Sequence, residues 1–153
     1  MVARLIAGGV LLRLAFLGAD SLWLDEAYSV SNVLPHRVAD VWHTSVDPNH
    51  PSLYFVVLRL ALGIGGVSEA VARLPSAIAS LCSLALAYVL ARRLGLSRRA
   101  GWVAVILLAF APLDVWYAQE ARMYSMVTTA ALAFAIALTV DSWLGALLAG
   151  AAL

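Results

Sequence analysis

Residues 74–90 read LPSAIASLCSLALAYVL, an apolar run without a single charged side chain. Four arginines follow the run directly, at positions 92, 93, 98 and 99, on both sides of the short turn at residues 95–97. A helix needs about 20 apolar residues to cross a bilayer, and arginine clusters of this kind mark the cytoplasmic side of a membrane. The stretch therefore predicts a transmembrane helix whose carboxyl end faces the cytoplasm.

The composition of the whole chain agrees with a lipid environment. Of the 153 residues, 63% are hydrophobic and 12% are charged, and the mean hydropathy is +0.91. A soluble domain carries about 25% charged residues, and a domain of this size lacks the interior to bury so much apolar surface. These values exclude a secreted or cytosolic enzyme, a nucleic-acid binder and a disordered region.

Further apolar runs predict an all-α fold, a polytopic integral membrane bundle of four to five transmembrane helices. The predicted transmembrane helices cover residues 3–20, 74–92, 100–113, 123–140 and, incompletely, 143–153. The first run also resembles a signal peptide, but Arg13 inside it favours an uncleaved helix. Because the last run is still apolar at Leu153, we expect residues 1–153 to be the N-terminal part of a single, longer transmembrane domain.

The segment between the first two of these helices, residues 20–73, is predicted to be an extracytoplasmic loop. It contains two predicted interfacial helices, at residues 22–34 and 51–64. Residues 52–64 (SLYFVVLRLALGI) span only about 20 Å as a helix and carry Arg59 in the middle, so they do not suit a bilayer crossing. With the N-terminus in the cytoplasm, this topology returns the arginine cluster to the cytoplasm and leaves the loop outside.

Two adjacent carboxylates, Asp25 and Glu26, follow the first predicted helix. Adjacent acids are unusual at the edge of a bilayer, because a low dielectric favours their binding a proton or a metal ion. The alternative is that they occupy the first turn of a helix, where the helix dipole favours acids. Spacing alone leaves both interpretations open.

Two further polar motifs lie on the predicted outer face. Residues 47–52 (DPNHPS) contain His50, which suits a metal ligand or a proton carrier as well as a helix cap. Residues 116–124 (WYAQEARMY) place Glu120 and Arg122 among aromatic side chains. Aromatic residues with an arginine are typical of an interfacial anchor, but Glu120 gains nothing beside anionic headgroups.

Arg73 and Arg13, which lie outside these motifs, need an interpretation of their own. Arg73 follows Glu69 by four residues, a spacing that predicts an ordinary surface ion pair on a helix without a functional role. Arg13 lies inside the first predicted transmembrane helix, where a charge needs a partner or a route to the headgroups. We expect one of the acids of the chain to be its partner.

In order and separation, five segments resemble the polytopic GT-C glycosyltransferases, in particular the bacterial relatives of protein O-mannosyltransferases and of the aminoarabinose transferase that modifies lipid A. The segments are LWLDEAYS (22–29), DPNHPSLYFVVLRL (47–60), ARLPSAIASL (72–81), ARRLG (91–95) and WYAQEARMYS (116–125). The resemblance runs from about Arg13 to Tyr124, and the acidic pair is its most specific element. Members of the family carry many more transmembrane helices than this chain.

The resemblance implies a membrane glycosyltransferase of GT-C type. Its donor would be a sugar on a polyprenyl phosphate, and its acceptor a protein, lipid or glycan attacked at the extracytoplasmic face. A divalent metal ion of unspecified identity can serve such a reaction, whereas no organic cofactor and no nucleic acid is implied. All ten basic residues are arginine, which is typical of GC-rich bacterial genomes, so the predicted location is the bacterial cell membrane.

The resemblance also assigns roles to side chains. Asp25, with Glu26 beside it, supplies the acid that acts as general base or metal contact. His50 lies near the donor phosphate or the metal, and Glu120 helps to bind the metal or the phosphate. Chemistry adds the phosphate contacts, because an arginine stabilises a departing phosphate. The predicted site is therefore Asp25 and Glu26 for catalysis, His50, Arg122 and Tyr124 for the donor phosphate, and Asp25 and Glu120 for the metal.

Two other classes of function are compatible with a polytopic chain. A transporter or lipid flippase would place polar residues deep inside several helices, but the predicted second, third and fourth helices are nearly free of charge between their ends. A non-catalytic membrane scaffold leaves the gathering of acids on one side unexplained. Both observations favour the enzyme.

Overall fold

The computed structural model describes residues 1–43, 47, 50–139 and 150, and over these residues the protein is all-α, as the sequence predicts. The helices are α1 (Val2–Leu14), α2 (Leu24–Val33), α3 (Val38–His43), α4 (Ser52–Gly65), α5 (Glu69–Arg93), α6 (Arg98–Ala109), α7 (Pro112–Ala118) and α8 (Tyr124–Leu138). The predicted helix at residues 143–153 lies, apart from residue 150, outside the described residues.

Helix α5 is the centre of the bundle. The side chain of Ser68 caps its start by accepting a hydrogen bond from the Val71 N–H at 3.3 Å, and the helix continues through Pro75 to Arg93. Helices α1, α4, α6, α7 and α8 all contact it. Near the start of α5, Arg73 donates to Glu26 and Ser76 Oγ donates to Arg122 O, so this helix contacts two of the segments that carry the predicted site.

In the described part of the chain, α5 is the one helix that is by itself long and apolar enough to cross a bilayer. Helices α6 and α7 meet the same criterion when taken together, with a bend of 62° between them, whereas α4 and α8 are shorter apolar helices. The all-α class is therefore confirmed, while a bundle of four to five transmembrane helices remains a prediction.

The first helix is shorter than predicted, because α1 ends at Leu14 instead of continuing to residue 20. The carbonyls that would continue its ladder are bonded elsewhere: the Gln119 amide donates to Leu12 O and to Ala15 O, and Arg73 donates to Leu17 O at 2.9 Å. Partners from distant parts of the chain thus turn the backbone out of the helix.

The third predicted helix, residues 100–113, is likewise divided, since α6 ends at Ala109. Proline has no N–H to donate and disfavours helical geometry in the residue before it. Ala111 is accordingly extended, and Pro112 starts α7, where a proline is well tolerated. The segment between the predicted third and fourth transmembrane helices therefore begins with a helix, α7.

Helices α2 and α4 lie within two residues of the predicted interfacial helices. They pack on each other, and α4 packs on the short α3, which was not predicted. Their apolar side chains form a buried cluster with residues from α5 and from the segment before α8, namely Val30, Val33, Val41, Tyr54, Phe55, Leu58, Leu62, Ala72, Ala121 and Met123. This cluster supports α2, whose first turn carries Asp25 and Glu26.

Candidate active site

A cleft of about 400 Å³ lies between the start of α2 and the segment that joins α7 to α8. Its lining combines acidic, basic and aromatic side chains: Trp23, Leu24, Asp25, Glu26, Trp116, Tyr117, Glu120, Arg122 and Tyr124. All the residues predicted for the site except His50 line this cleft. The fold therefore brings together side chains from two motifs that lie far apart in the sequence.

Glu26 is buried, and both of its carboxylate oxygens are engaged. Oε1 accepts hydrogen bonds from Arg73 Nε at 2.9 Å and from the Ala121 N–H at 2.6 Å. Oε2 accepts from Arg73 Nη2 at 2.8 Å and from the Trp23 N–H at 2.9 Å, and the latter bond closes the first turn of α2. Burial by itself raises the pKa of Glu26, but these hydrogen bonds outweigh it and hold that pKa below its ordinary value.

Arg73 does not form the ordinary surface pair with Glu69 that its spacing predicted. Its side chain is buried, and its five N–H donors make five hydrogen bonds. Two of them go to Glu26, and the others go to the carbonyls of Leu17, Asp20 and Ser21. The guanidinium therefore ties the chain after α1 and the start of α2 to α5.

The environment of Glu26 changes the interpretation of its role. A carboxylate that accepts four hydrogen bonds and pairs with a buried arginine has no free oxygen for a substrate proton. We therefore replace the catalytic role predicted for Glu26 with a positioning role for the segment around it.

Asp25 has the opposite surroundings. Its side chain is exposed at the cleft and makes no hydrogen bond to the described residues. One step along a helix rotates the side-chain direction by about 100°, so the neighbour of a buried Glu26 can point into the cleft. Of the two adjacent acids, Asp25 is the one whose oxygens are available to a ligand or a proton.

Glu120 lines the same cleft, and its Oε1 accepts a hydrogen bond from Trp116 Nε1 at 2.5 Å. Burial raises the pKa of Glu120, and the negative charges of Glu26 and Asp25 raise it further. The Trp116 hydrogen bond and the positive charge of Arg122 oppose this rise without cancelling it. The pKa of Glu120 thus lies above its ordinary value, as expected where acids share one cleft.

Asp25 and Glu120 are the residues predicted to bind a divalent metal ion. Over the described ranges, no group of three or more His, Cys, Asp or Glu side chains could hold such an ion by itself. Magnesium, however, is commonly bound by one or two carboxylates together with substrate phosphates. Two carboxylates on one cleft fit that mode of binding.

Arg122 is the buried cation beside the cleft, with 8% of its surface exposed. Its Nη1 donates to Ser29 Oγ at 3.3 Å, and its Nη2 lies 3.4 Å from His50 Nε2. Because a guanidinium can only donate, His50 Nε2 accepts, and His50 Nδ1 carries the proton that it shares with Asp47 Oδ2 at 2.6 Å. His50 thus joins the site through Arg122 instead of lining the cleft.

One ring of a tyrosine pair lies against this cation. The rings of Tyr117 and Tyr124 lie 4.4 Å apart between centroids, and Arg122 Cζ lies 5.9 Å from the centroid of the Tyr124 ring. A guanidinium over an aromatic face is stabilised by the ring quadrupole. Tyr124 therefore orients Arg122, and its predicted contact with a donor phosphate remains a prediction.

Several residues of the site were missed from the sequence. Arg73, Ser29 and Asp47 hold Glu26, Arg122 and His50 in place. A usable signal existed for Arg73, because it lies next to an apolar run in which a charge requires a partner. Ser29 and Asp47 carry no comparable signal, since short polar residues are common on exposed helices and loops.

Replacing Glu120 by glutamine is expected to stabilise the protein at neutral pH by about 0.5 kcal/mol, because it removes repulsion from the neighbouring acids while Oε1 can still accept the Trp116 hydrogen bond. The folded state holds the Glu120 proton more tightly than the unfolded state does. The gain should therefore be complete above the raised pKa and vanish as the pH falls through it toward 4.5. Thermal unfolding midpoints at several pH values test this, and a destabilised variant at neutral pH would contradict it.

A family model described as dolichyl-phosphate-mannose-protein mannosyltransferase matches residues 49–153, about two thirds of the chain. The matched part includes His50, Glu120, Arg122 and Tyr124, whereas Asp25 lies before it. No curated protein and no solved structure matches the chain. The family match confirms the resemblance to the GT-C glycosyltransferases, and the chain belongs to the dolichyl-phosphate-mannose-protein mannosyltransferase family.

Proposed function

We propose that this protein transfers a sugar from a polyprenyl-phosphate donor to an acceptor hydroxyl at the extracytoplasmic face of the bacterial cell membrane. The observation that carries the proposal is the cleft in which an exposed Asp25, an acidic Glu120 and a buried Arg122 meet. Membership of a mannosyltransferase family supports a lipid-linked donor and a protein or glycan acceptor.

The chemistry of such a transfer needs a base and a cation. The acceptor oxygen attacks the anomeric carbon while the bond from that carbon to the phosphate oxygen breaks. Asp25, whose oxygens are free, takes the proton of the acceptor hydroxyl. The phosphate leaves with its negative charge, and Arg122 stabilises that charge without rearranging, since Ser29 and His50 already hold its guanidinium.

A divalent metal ion would add to this stabilisation. Asp25 and Glu120 are the side chains that would hold it, because both line the cleft. When bound, the ion would neutralise negative charge on the departing phosphate. Glu120 is suited to this role because burial and the negative charges of Glu26 and Asp25 raise its pKa, and a bound cation would offset both effects.

The course of α5 supports a site outside the cytoplasm. Arg73, near the start of α5, contacts the site, whereas Arg92 and Arg93 lie at its other end, about 30 Å away along the axis. Arginines gather on the cytoplasmic side of membrane proteins. Large apolar side chains that are exposed along the bundle, such as Leu11, Val103 and Leu107, suit contact with lipid.

Asp25→Asn is the test of this function. It removes the base but keeps the shape of an exposed side chain, so we expect transfer of labelled mannose from polyprenyl-phosphate mannose to fall at least about a hundredfold, with an unchanged thermal unfolding midpoint. Asp40→Asn is the matched control, because Asp40 is an exposed aspartate of α3 that does not line the cleft. Transfer by Asp25→Asn at the rate of the control would overturn the proposal.

A further inference from the structure

A second, smaller cleft of about 120 Å³ adjoins the first. Trp23, Trp116 and Glu120 line both clefts, whereas Phe16, Asp20 and Gln119 line the second one only. The two clefts are thus neighbours that share a wall of two indole rings and one carboxylate. A ligand in the second cleft would lie beside whatever occupies the first.

Apart from the indole N–H of Trp23, the hydrogen-bonding groups that the second cleft offers to a ligand are acceptors. Arg73 also borders it, but all five of its N–H donors are engaged within the protein. The Gln119 amide nitrogen donates to backbone carbonyls, which leaves the amide oxygen as its acceptor. Asp20 is exposed and makes no side-chain hydrogen bond to the described residues. Such a cleft selects a ligand that donates hydrogen bonds.

Aromatic rings supply the remaining surface. Trp23, Trp116 and Phe16 are 66%, 56% and 81% exposed, and the Trp116 ring is held in place by its bond to Glu120. Phe16 has a backbone φ of +65°, a conformation that non-glycine residues seldom adopt and that occurs preferentially at ligand sites. Exposed aromatic rings provide large contact areas at little conformational cost.

From these groups we infer that the second cleft binds a saccharide ring as the acceptor of the transfer. A pyranose has an apolar face of C–H groups, which packs on an indole, and hydroxyl groups at its edge, which donate to carboxylates and amide oxygens. The inference rests on the proposed function, because the neighbouring cleft is taken to hold the donor. It narrows the acceptor from a protein or glycan to a glycan or glycolipid.

The first test measures binding without any transfer. Saturation-transfer NMR of a mixture of methyl pyranosides, added to the protein in nanodiscs, should show contact with the ring protons. Asp20→Ala and Trp116→Ala should weaken this binding about tenfold, as expected for the loss of a hydrogen bond to a charged group or of an aromatic contact. Asp40→Ala and Trp42→Ala are matched controls, because both residues are exposed on α3 and line neither cleft.

The second test uses the reaction. Asp20→Ala should raise KM for a saccharide acceptor about tenfold and leave kcat largely unaltered, since Asp20 does not line the cleft that contains Asp25. Glycoside binding that depends on Asp20 in a protein without transferase activity would support the subsite and refute the proposed function. Two results would overturn the inference. One is transfer to a serine-containing peptide at a rate that Asp20→Ala does not change. The other is binding of tetramethylammonium, but not of glycosides, that depends on Asp20.

Discussion

Glu26→Ala is expected to lower the free energy of unfolding by about 3–5 kcal/mol, because it leaves the buried guanidinium of Arg73 without its counter-charge. The N–H groups of Trp23 and Ala121 lose their acceptor at the same time. Glu26 therefore connects α2, α5 and the segment before α8, and its loss should loosen all three. Thermal unfolding in detergent micelles measures the effect.

The adjacent carboxylate provides the control for this prediction. Asp25→Ala removes the same charge one residue earlier, but from an exposed side chain, so its effect on stability should stay within about 0.5 kcal/mol. We thus expect the two neighbours to behave oppositely: Asp25 variants lose transfer and keep stability, whereas Glu26→Ala loses stability. Similar unfolding midpoints for the two alanine variants would contradict the buried position of Glu26.

A double variant tests whether the loss comes from the unpaired charge. Replacing a buried ion pair by apolar side chains of similar size is often neutral, whereas removing one partner is costly. Glu26→Leu combined with Arg73→Met should therefore be more stable than either single variant. If the stability losses of the two single variants simply add in the double variant, Glu26 and Arg73 do not act as a unit.

The stabilisation that the Glu26–Arg73 ion pair provides should weaken in acid. Because the pKa of Glu26 in the folded state lies below its ordinary value of 4.5, the ion pair contributes fully above about pH 4.5 and fades as the pH falls through the lowered pKa. The stability difference between the wild type and Glu26→Gln should shrink in the same range. A difference that grows in acid would mean that the Glu26 carboxylate is not held in its charged form.

Much of the fold could be predicted, because the apolar runs and the helix-breaking residues are local signals. The run at residues 74–90 predicted the central helix, and Pro112 is a local cause of the break between α6 and α7. The end of α1 at Leu14 could not be predicted in this way. It depends on Gln119 and Arg73, which reach the turn from other parts of the chain.

Several residues of the candidate site could also be predicted from the sequence. Residue chemistry pointed to Asp25, Glu120 and Arg122, and these side chains line one cleft. What the spacing rules missed is the partner of each arginine. They pair residues three or four positions apart, whereas Arg73 pairs with Glu26 across 47 positions. Nor could they decide which of two adjacent acids is buried, since that depends on which face of α2 meets the core.

Arg13→Met is the second replacement for which we expect a loss of about 3–5 kcal/mol in the free energy of unfolding. Arg13 is fully buried, and each of its five N–H donors has an acceptor. Those acceptors are Ser80 Oγ, the carbonyls of Gly9, Leu108 and Ala109, and Asp114 Oδ2 at 2.6 Å. The expected acidic partner of Arg13 is therefore Asp114, and the guanidinium links α1, α5, α6 and α7.

Three variants show whether this stabilisation comes from the charge of Arg13, from the geometry of its hydrogen bonds or from its buried position. Arg13→Lys keeps the charge but offers a single nitrogen with three donors, so it should recover little of the loss. Asp114→Asn keeps an acceptor for Arg13 and should cost less, about 1–2 kcal/mol. Arg4→Met is the control, because Arg4 is an exposed arginine of the same helix and should change stability by less than about 0.5 kcal/mol. Because α7 carries Trp116 and leads into Glu120, Arg13→Met should also reduce transfer. If this variant keeps both the stability and the transfer rate of the wild type, the link that Arg13 makes between α1, α5, α6 and α7 is dispensable.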